Sequence, residues 1–275
     1  MSKEQVGNDV ILGHIPPRLQ PAWLKIPLEM RQYYAHQVLG TMQRGQQSHL
    51  YPENIGYSDT NLTHTESLLD AVTYVEEKYP RLAKEVDLDE DRIELLVHDG
   101  GEGLTKIDLP MAGPARNTPA ARRVRKLETR AFTQFLRRIP DPDTRRAALG
   151  SYARITAPDA DERGDLEALM GHYLDKRDSV SIGGLYILGA YQRRGETAPR
   201  PALADHVMET AQIMVTPATA LRPFLSHMAQ YELDDLVNED LSRISSLGYT
   251  SQAENALEYY TGGNRKHPTK LPVAS

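Results

Sequence analysis

Leu95-Leu96-Val97-His98-Asp99-Gly100-Gly101-Glu102-Gly103-Leu104-Thr105 places a histidine and an aspartate side by side at the end of an apolar run, with a carboxylate one helical turn further on. Imidazole and carboxylate are the donors that hold hydrolytic divalent cations. Two further residues extend the pattern to H, then HD, then D. His64 lies 34 residues earlier in Thr63-His64-Thr65-Glu66-Ser67, and Asp178 lies 79 residues later in Asp175-Lys176-Arg177-Asp178-Ser179. Adjacent helical residues point about 100° apart, so His98 and Asp99 reach one ion only at a helix end or a distortion, which Gly100-Gly101 permits.

The flanking segments read as helices. Leu62, Leu68, Leu69, Val72 and Val75 recur at helical spacing over Asn61 to Tyr79, with Asn61 or Thr63 as cap and Pro80 as stop. Leu88 to Asp99 repeats the pattern, with Asp89 as cap and Gly100-Gly101 as terminator. The periodicity predicts further helices over 28–44, 120–138, 143–155 and 166–192, the last carrying Asp178 near its middle. Beyond Pro199 it predicts helices over 203–214, 218–230, 232–246 and 250–260. No stretch shows sustained β alternation, so the chain is expected to be all-α. The expected organisation is an extended N-terminal arm over 1–27, where Pro16, Pro17, Pro21 and Pro27 cluster, a metal-binding helical core over 28–195, a C-terminal helical extension over 196–261 packed on the core, and a flexible tail over 262–275.

The absence of cysteine among 275 residues excludes disulfides, thiolate metal sites and cysteine nucleophiles, so any metal sits on N and O ligands. No stretch reaches the roughly 18 apolar residues of a membrane span, and no apolar segment follows Met1 to Gln5, so a soluble cytoplasmic protein without membrane association is expected. A net charge of −6 argues against a broad nucleic-acid surface. The charge is uneven, however: ten basic residues fall between Arg116 and Arg146. They read either as a solvated helix face paired with acidic segments elsewhere or as a surface for a phosphorylated substrate. Gly100-Gly101-Glu102-Gly103 lacks the Lys and Ser/Thr of a nucleotide P-loop.

The phrase His98-Asp99-Gly100-Gly101-Glu102-Gly103-Leu104-Thr105, with Asp108-Leu109-Pro110 behind it, resembles the HD-x-x-E-x-x-T motif of the HD-domain metal-dependent phosphohydrolases, and among them the bacterial 5′-deoxynucleotidases. The resemblance covers about residues 60–190. It implies an HD-domain-like helical bundle in which His64, His98, Asp99 and Asp178 hold a divalent cation (Mn, Co, Ni, Mg, Fe or Zn). Glu102 would handle protons beside the attacking water or leaving group, and Asp108 would be a secondary polar residue of the pocket. The implied activity is release of phosphate from a nucleotide or a related small phosphate ester, with Arg122, Arg123 and Arg177 assisting on the phosphate oxygens and Arg44 a separate substrate candidate.

The chain departs from the family pattern in three places. Lys106-Ile107 stand where one glycine usually precedes the Asp, Glu66 follows His64 instead of preceding it, and the Arg-Trp pair of some nucleotidases has no match beyond the separate Trp23 and Arg44. Nucleoside triphosphate or guanosine polyphosphate hydrolysis, a di-iron oxygenase and a non-catalytic helical scaffold are the competing readings. The oxygenase needs two more histidines after the HD pair, and only His172 lies between Asp99 and Asp178. A homo-oligomer is compatible with all of them.

Overall fold

The computed structural model describes residues 11–15, 17, 20–40, 61–106, 118–157, 163–180 and 200–262, and among them every regular element is helical. The chain is all-α. A 3-10 turn at Leu12–His14 leads to α1 (Gln20–Lys25) and α2 (Leu28–Gln32), which runs on into a π-helical segment, Tyr33–Leu39. The central elements are α3 (Asn61–Lys78), α4 (Leu82–Glu85), α5 (Leu88–Val97) and α6 (Gly100–Thr105). They are followed by α7 (Pro119–Leu136), α8 (Pro142–Ile155) and α9 (Leu166–Ser179). The C-terminal group is α10 (Arg200–Leu221), α11 (His227–Ser246) and α12 (Thr250–Gly262).

Two apolar cores meet across α3 and α5. One joins Leu68, Val72 and Leu95 to α9, α10, α11 and α12, and the other joins Leu69, Leu96 and Val97 to the N-terminal segment, α7 and α8. Adjacent residues therefore face opposite cores, as the 100° step of a helix requires. The two central helices are anchored on both sides, and the residues at their ends are held in fixed relation.

Four expectations are revised. The N-terminal arm is not extended where described: Ile11, Leu12, Ile15, Trp23 and Ile26 are buried, and Gln20–Lys25 is helical because Pro21 falls in its first turn, where proline is tolerated. The helices predicted over 203–214 and 218–230 are joined otherwise. α10 runs through Pro217, whose neighbours Thr216 and Thr219 hydrogen-bond back to the carbonyls of Gln212 and Val215. Asp178 lies in the last turn of α9, not near the middle of a longer helix. The cap of α5 is Asp87, not Asp89, and it accepts from the Asp89 and Glu90 amides.

Two carboxyls are embedded between α5, α8 and α9. Asp91 and Glu94 have no exposed surface, and their oxygens make no hydrogen bond among the described residues. Both sit over Gly171, where a Cβ would lie 3.4 Å from Glu94 Oε2 and 3.6 Å from Asp91 Oδ1. Burial pushes both pKa values up, and Glu94 reaches about 9 although Arg154 Nε lies 3.3 Å away. A carboxyl raised in the folded state stabilises it fully below the ordinary value of 4.5 and loses that contribution as pH rises towards about 9. The slope from one such group reaches at most about 1.4 kcal/mol per pH unit. Glu94→Gln is therefore expected to melt above the parent protein at pH 8 and to lose less of its Tm between pH 6 and 9. Parallel melting profiles by circular dichroism would refute a proton held at Glu94.

Candidate metal centre

The break between α5 and α6 brings the adjacent pair together. His98 is still helical, but Asp99 takes φ −92° and ψ 4°, between two helices, so its side chain turns back towards that of His98. His98 Nε2 and Asp99 Oδ2 are 3.2 Å apart. His64, on the first turn of α3, presents its Nε2 3.3 Å from His98 Nε2 and 3.8 Å from Asp99 Oδ2. These three groups offer donor atoms within 4.8 Å of one another. A fourth donor is Asp175 of α9, whose Oδ1 lies 3.2 Å from His64 Nε2 and 3.8 Å from His98 Nε2. Ions bound at 2.0–2.2 Å separate neighbouring donors by roughly 3 to 3.6 Å, so the contacts of 3.2 and 3.3 Å that join His64, His98 and Asp99 suit a divalent cation, with Asp175 beside them on the His64 side.

The hydrogen bonds on the far sides of the rings select the tautomers. His98 Nδ1 is 2.7 Å from the Leu95 carbonyl, which can only accept, so this nitrogen carries the hydrogen and Nε2 presents its lone pair to the site. His64 Nδ1 donates in the same way to Asp178 Oδ2 at 2.8 Å, and Asp178 Oδ1 accepts from Ser67 Oγ at 2.9 Å. Asp178 thus orients His64 and does not join the cluster, a correction to the ligand set read from spacing. A carboxylate behind an imidazole fixes the ring and raises its basicity as a ligand.

The electrostatics keep the carboxylates ionised. Burial raises the Asp99 pKa, but when both rings are protonated the charge and hydrogen bond of His98, then the charge of His64, outweigh it and hold the group at about 2. For Asp175, burial is outweighed by the Lys176 ammonium, which also hydrogen-bonds Asp175 Oδ2, and by the hydrogen bond and charges from His64 and His98, so its pKa falls well below the ordinary range. The His64 side chain is 1% exposed, against 17% for Asp99 and 15% for Asp175, so the cluster is open to solvent at its carboxylates.

Of the remaining predicted residues, Glu102 is partly exposed on the first turn of α6, near enough to Tyr152 to help raise the tyrosine pKa. Arg44 and Asp108 lie outside the described residues. Arg177 is not brought to the site: its Nε bonds both Asp240 oxygens at 2.8 Å and its guanidinium lies over the Tyr74 ring, tying α9 to α11 and α3. Arg122 and Arg123 are exposed on α7, about 120° and 140° round the helix from Glu128, whose Cβ faces Gly101 of α6. They point away from the cluster. His172 donates from Nε2 to the Ile155 carbonyl at 2.7 Å. Sequence reasoning missed Asp175 and Lys176. Asp175 shares a helix face with Asp178, three residues on, and spacing does not encode which carboxylate meets Nε2 and which Nδ1.

No family model, curated protein or solved structure matches the chain. Among the described residues no helix is long and apolar enough to cross a membrane.

Proposed function

We propose that this chain is a metal-dependent phosphohydrolase acting on a nucleotide or a similar small phosphate ester. The observation that carries the reading is the convergence of His64 Nε2, His98 Nε2, Asp99 Oδ2 and Asp175 Oδ1, with both imidazoles held in the metal-ready tautomer by Leu95 and Asp178. The HD-x-x-E-x-x-T resemblance supplies the reaction class. Asp99 and Asp175 bring two negative charges to the two neutral imidazoles, a donor set suited to Mn, Co, Ni, Mg, Fe or Zn. When bound, such an ion supplies Lewis acidity towards a phosphoryl oxygen and lowers the pKa of coordinated water. The protein's own contributions are orientation and proton handling. Asp178 and Ser67 lock His64, Lys176 restrains the second oxygen of Asp175, and Glu102, one turn beyond Asp99, takes the proton-transfer role.

Elemental analysis of the purified chain, run beside a phosphate-release screen over nucleoside mono-, di- and triphosphates, tests the reading. About one ion per chain and phosphate release lost in His98→Ala are the expected results. A chain that binds no metal, or a His98→Ala variant with parental release, would refute it. Two irons per chain with no phosphate release would replace it with an oxygenase.

A further inference from the structure

The outer face of α7 carries charge that the proposed metal centre does not use. Arg123, Lys126, Arg130 and Arg137 project from the side opposite the buried Ala121, Glu128 and Phe132, and Arg138 flanks them. The one carboxylate of the helix, Glu128, is turned inwards and buried. Among the described residues none of these five cations makes an ion pair or a side-chain hydrogen bond, so no described carboxylate neutralises them. The net charge of −6 averages over this segregation. Thr133 and Gln134 set polar side chains between the cations on the same face.

We infer that this face of α7 binds a single strand of nucleic acid through its phosphates. Charge complementarity requires an anionic partner, and two features select this one. Four of the five cations are arginines, whose planar guanidinium forks match phosphate oxygens in pairs. Hydroxyl and amide groups interleaved with them are the usual companions in contacts to phosphate and sugar. A cationic row of this kind tracks the backbone of a strand without sequence preference. A membrane surface fits less well. The apolar row of α7, Phe132, Phe135 and Leu136, is spent in the core, and Leu127 is the large apolar side chain that the helix leaves exposed.

Fluorescence anisotropy of 20-nucleotide fluorescein-labelled oligo-dT and oligo-rU, titrated with the full chain in EDTA, tests the inference apart from any metal chemistry. Binding in the micromolar range is expected at low salt. The expected slope of log K on log[salt] is about −3, from roughly −0.7 for each of four phosphates neutralised. The variant R123E/K126E/R130E should bind at least tenfold more weakly, and its Gln counterpart covers a failure of the Glu variant to fold. Absence of binding at low salt, or undiminished binding by both triple variants, would overturn the inference. Binding to phosphatidylserine vesicles without binding to either oligonucleotide would overturn it in favour of a lipid surface.

Discussion

Asp175→Ala is expected to abolish stoichiometric metal binding and reduce phosphate release to background, whereas Asp178→Ala keeps the metal with affinity about 10- to 100-fold weaker. The two residues lie on the same face of α9 and are almost equally exposed, so burial does not distinguish them. What separates them is the atom of His64 that each meets. Asp175 Oδ1 faces Nε2 at 3.2 Å, on the side shared with His98 and Asp99. Asp178 Oδ2 faces Nδ1 at 2.8 Å, on the side away from that cluster. Removing Asp175 deletes a donor. Removing Asp178 frees the His64 ring to rotate and deprives Ser67 of its acceptor, but leaves four donors in reach. Titration of each variant with Mn or Zn by calorimetry, beside the phosphate assay, checks the difference. Equal losses in both would refute the division of labour, and a parental isotherm in Asp175→Ala would remove it from the site.

The helices were legible because their signals are local. The apolar periodicity of 61–79 and 88–99, with Pro80 and the glycines as stops, corresponds to α3 and α5 within a residue or two, and Thr118 and Asp141 cap α7 and α8 where the basic and polar patterns begin. The grouping of His64 with His98 and Asp99 was legible for a related reason: the HD pair sits at a helix end, where backbone distortion lets neighbouring side chains converge. Which of Asp175 and Asp178 meets Nε2 of His64 is not legible in the sequence, because it depends on the rotation of a ring on a different helix. The arginines failed for the opposite reason. Arg177 is adjacent to Asp178 in sequence, but its guanidinium is drawn to the buried Asp240, a partner 63 residues away that no local pattern announces. Gly100 and Gly101 were read as a terminator, yet the helix restarts at Gly100, because these glycines are required by what packs against them.

That packing gives the second large effect. A Cβ on Gly103 would sit 2.4 Å from the Val38 carbonyl oxygen and 2.8 Å from Val38 Cγ1, and one on Gly100 would sit 2.2 Å from the Phe132 ring. The Phe132 ring is fully buried but can tilt at some cost. The Val38 carbonyl belongs to the π-helical segment and cannot move without its backbone. The far end of α6 is tied to the same segment, because Lys106, at φ 59°, donates its ammonium to the Gln37 carbonyl at 3.0 Å. Gly103→Ala must therefore displace α6 as a unit. Overpacking of this kind costs about 1–3 kcal/mol, and with a backbone obstacle the upper end is expected. At roughly 2–4 °C per kcal/mol for a chain of about this size, Tm should fall by about 6–12 °C. Gly150 is the internal control, since it lies on the exposed face of α8 with nothing within 4 Å of its added Cβ. Gly150→Ala should stabilise by roughly 0.5–1 kcal/mol through helix propensity. Opposite signs for the same chemical change would establish that α6 is seated against the π-helical segment, and Asp99, the residue just before α6, should then lose metal affinity in Gly103→Ala but not in Gly150→Ala. A neutral or stabilising Gly103→Ala would mean that α6 does not approach Val38, and the backbone turn that brings Asp99 to His98 would need another support.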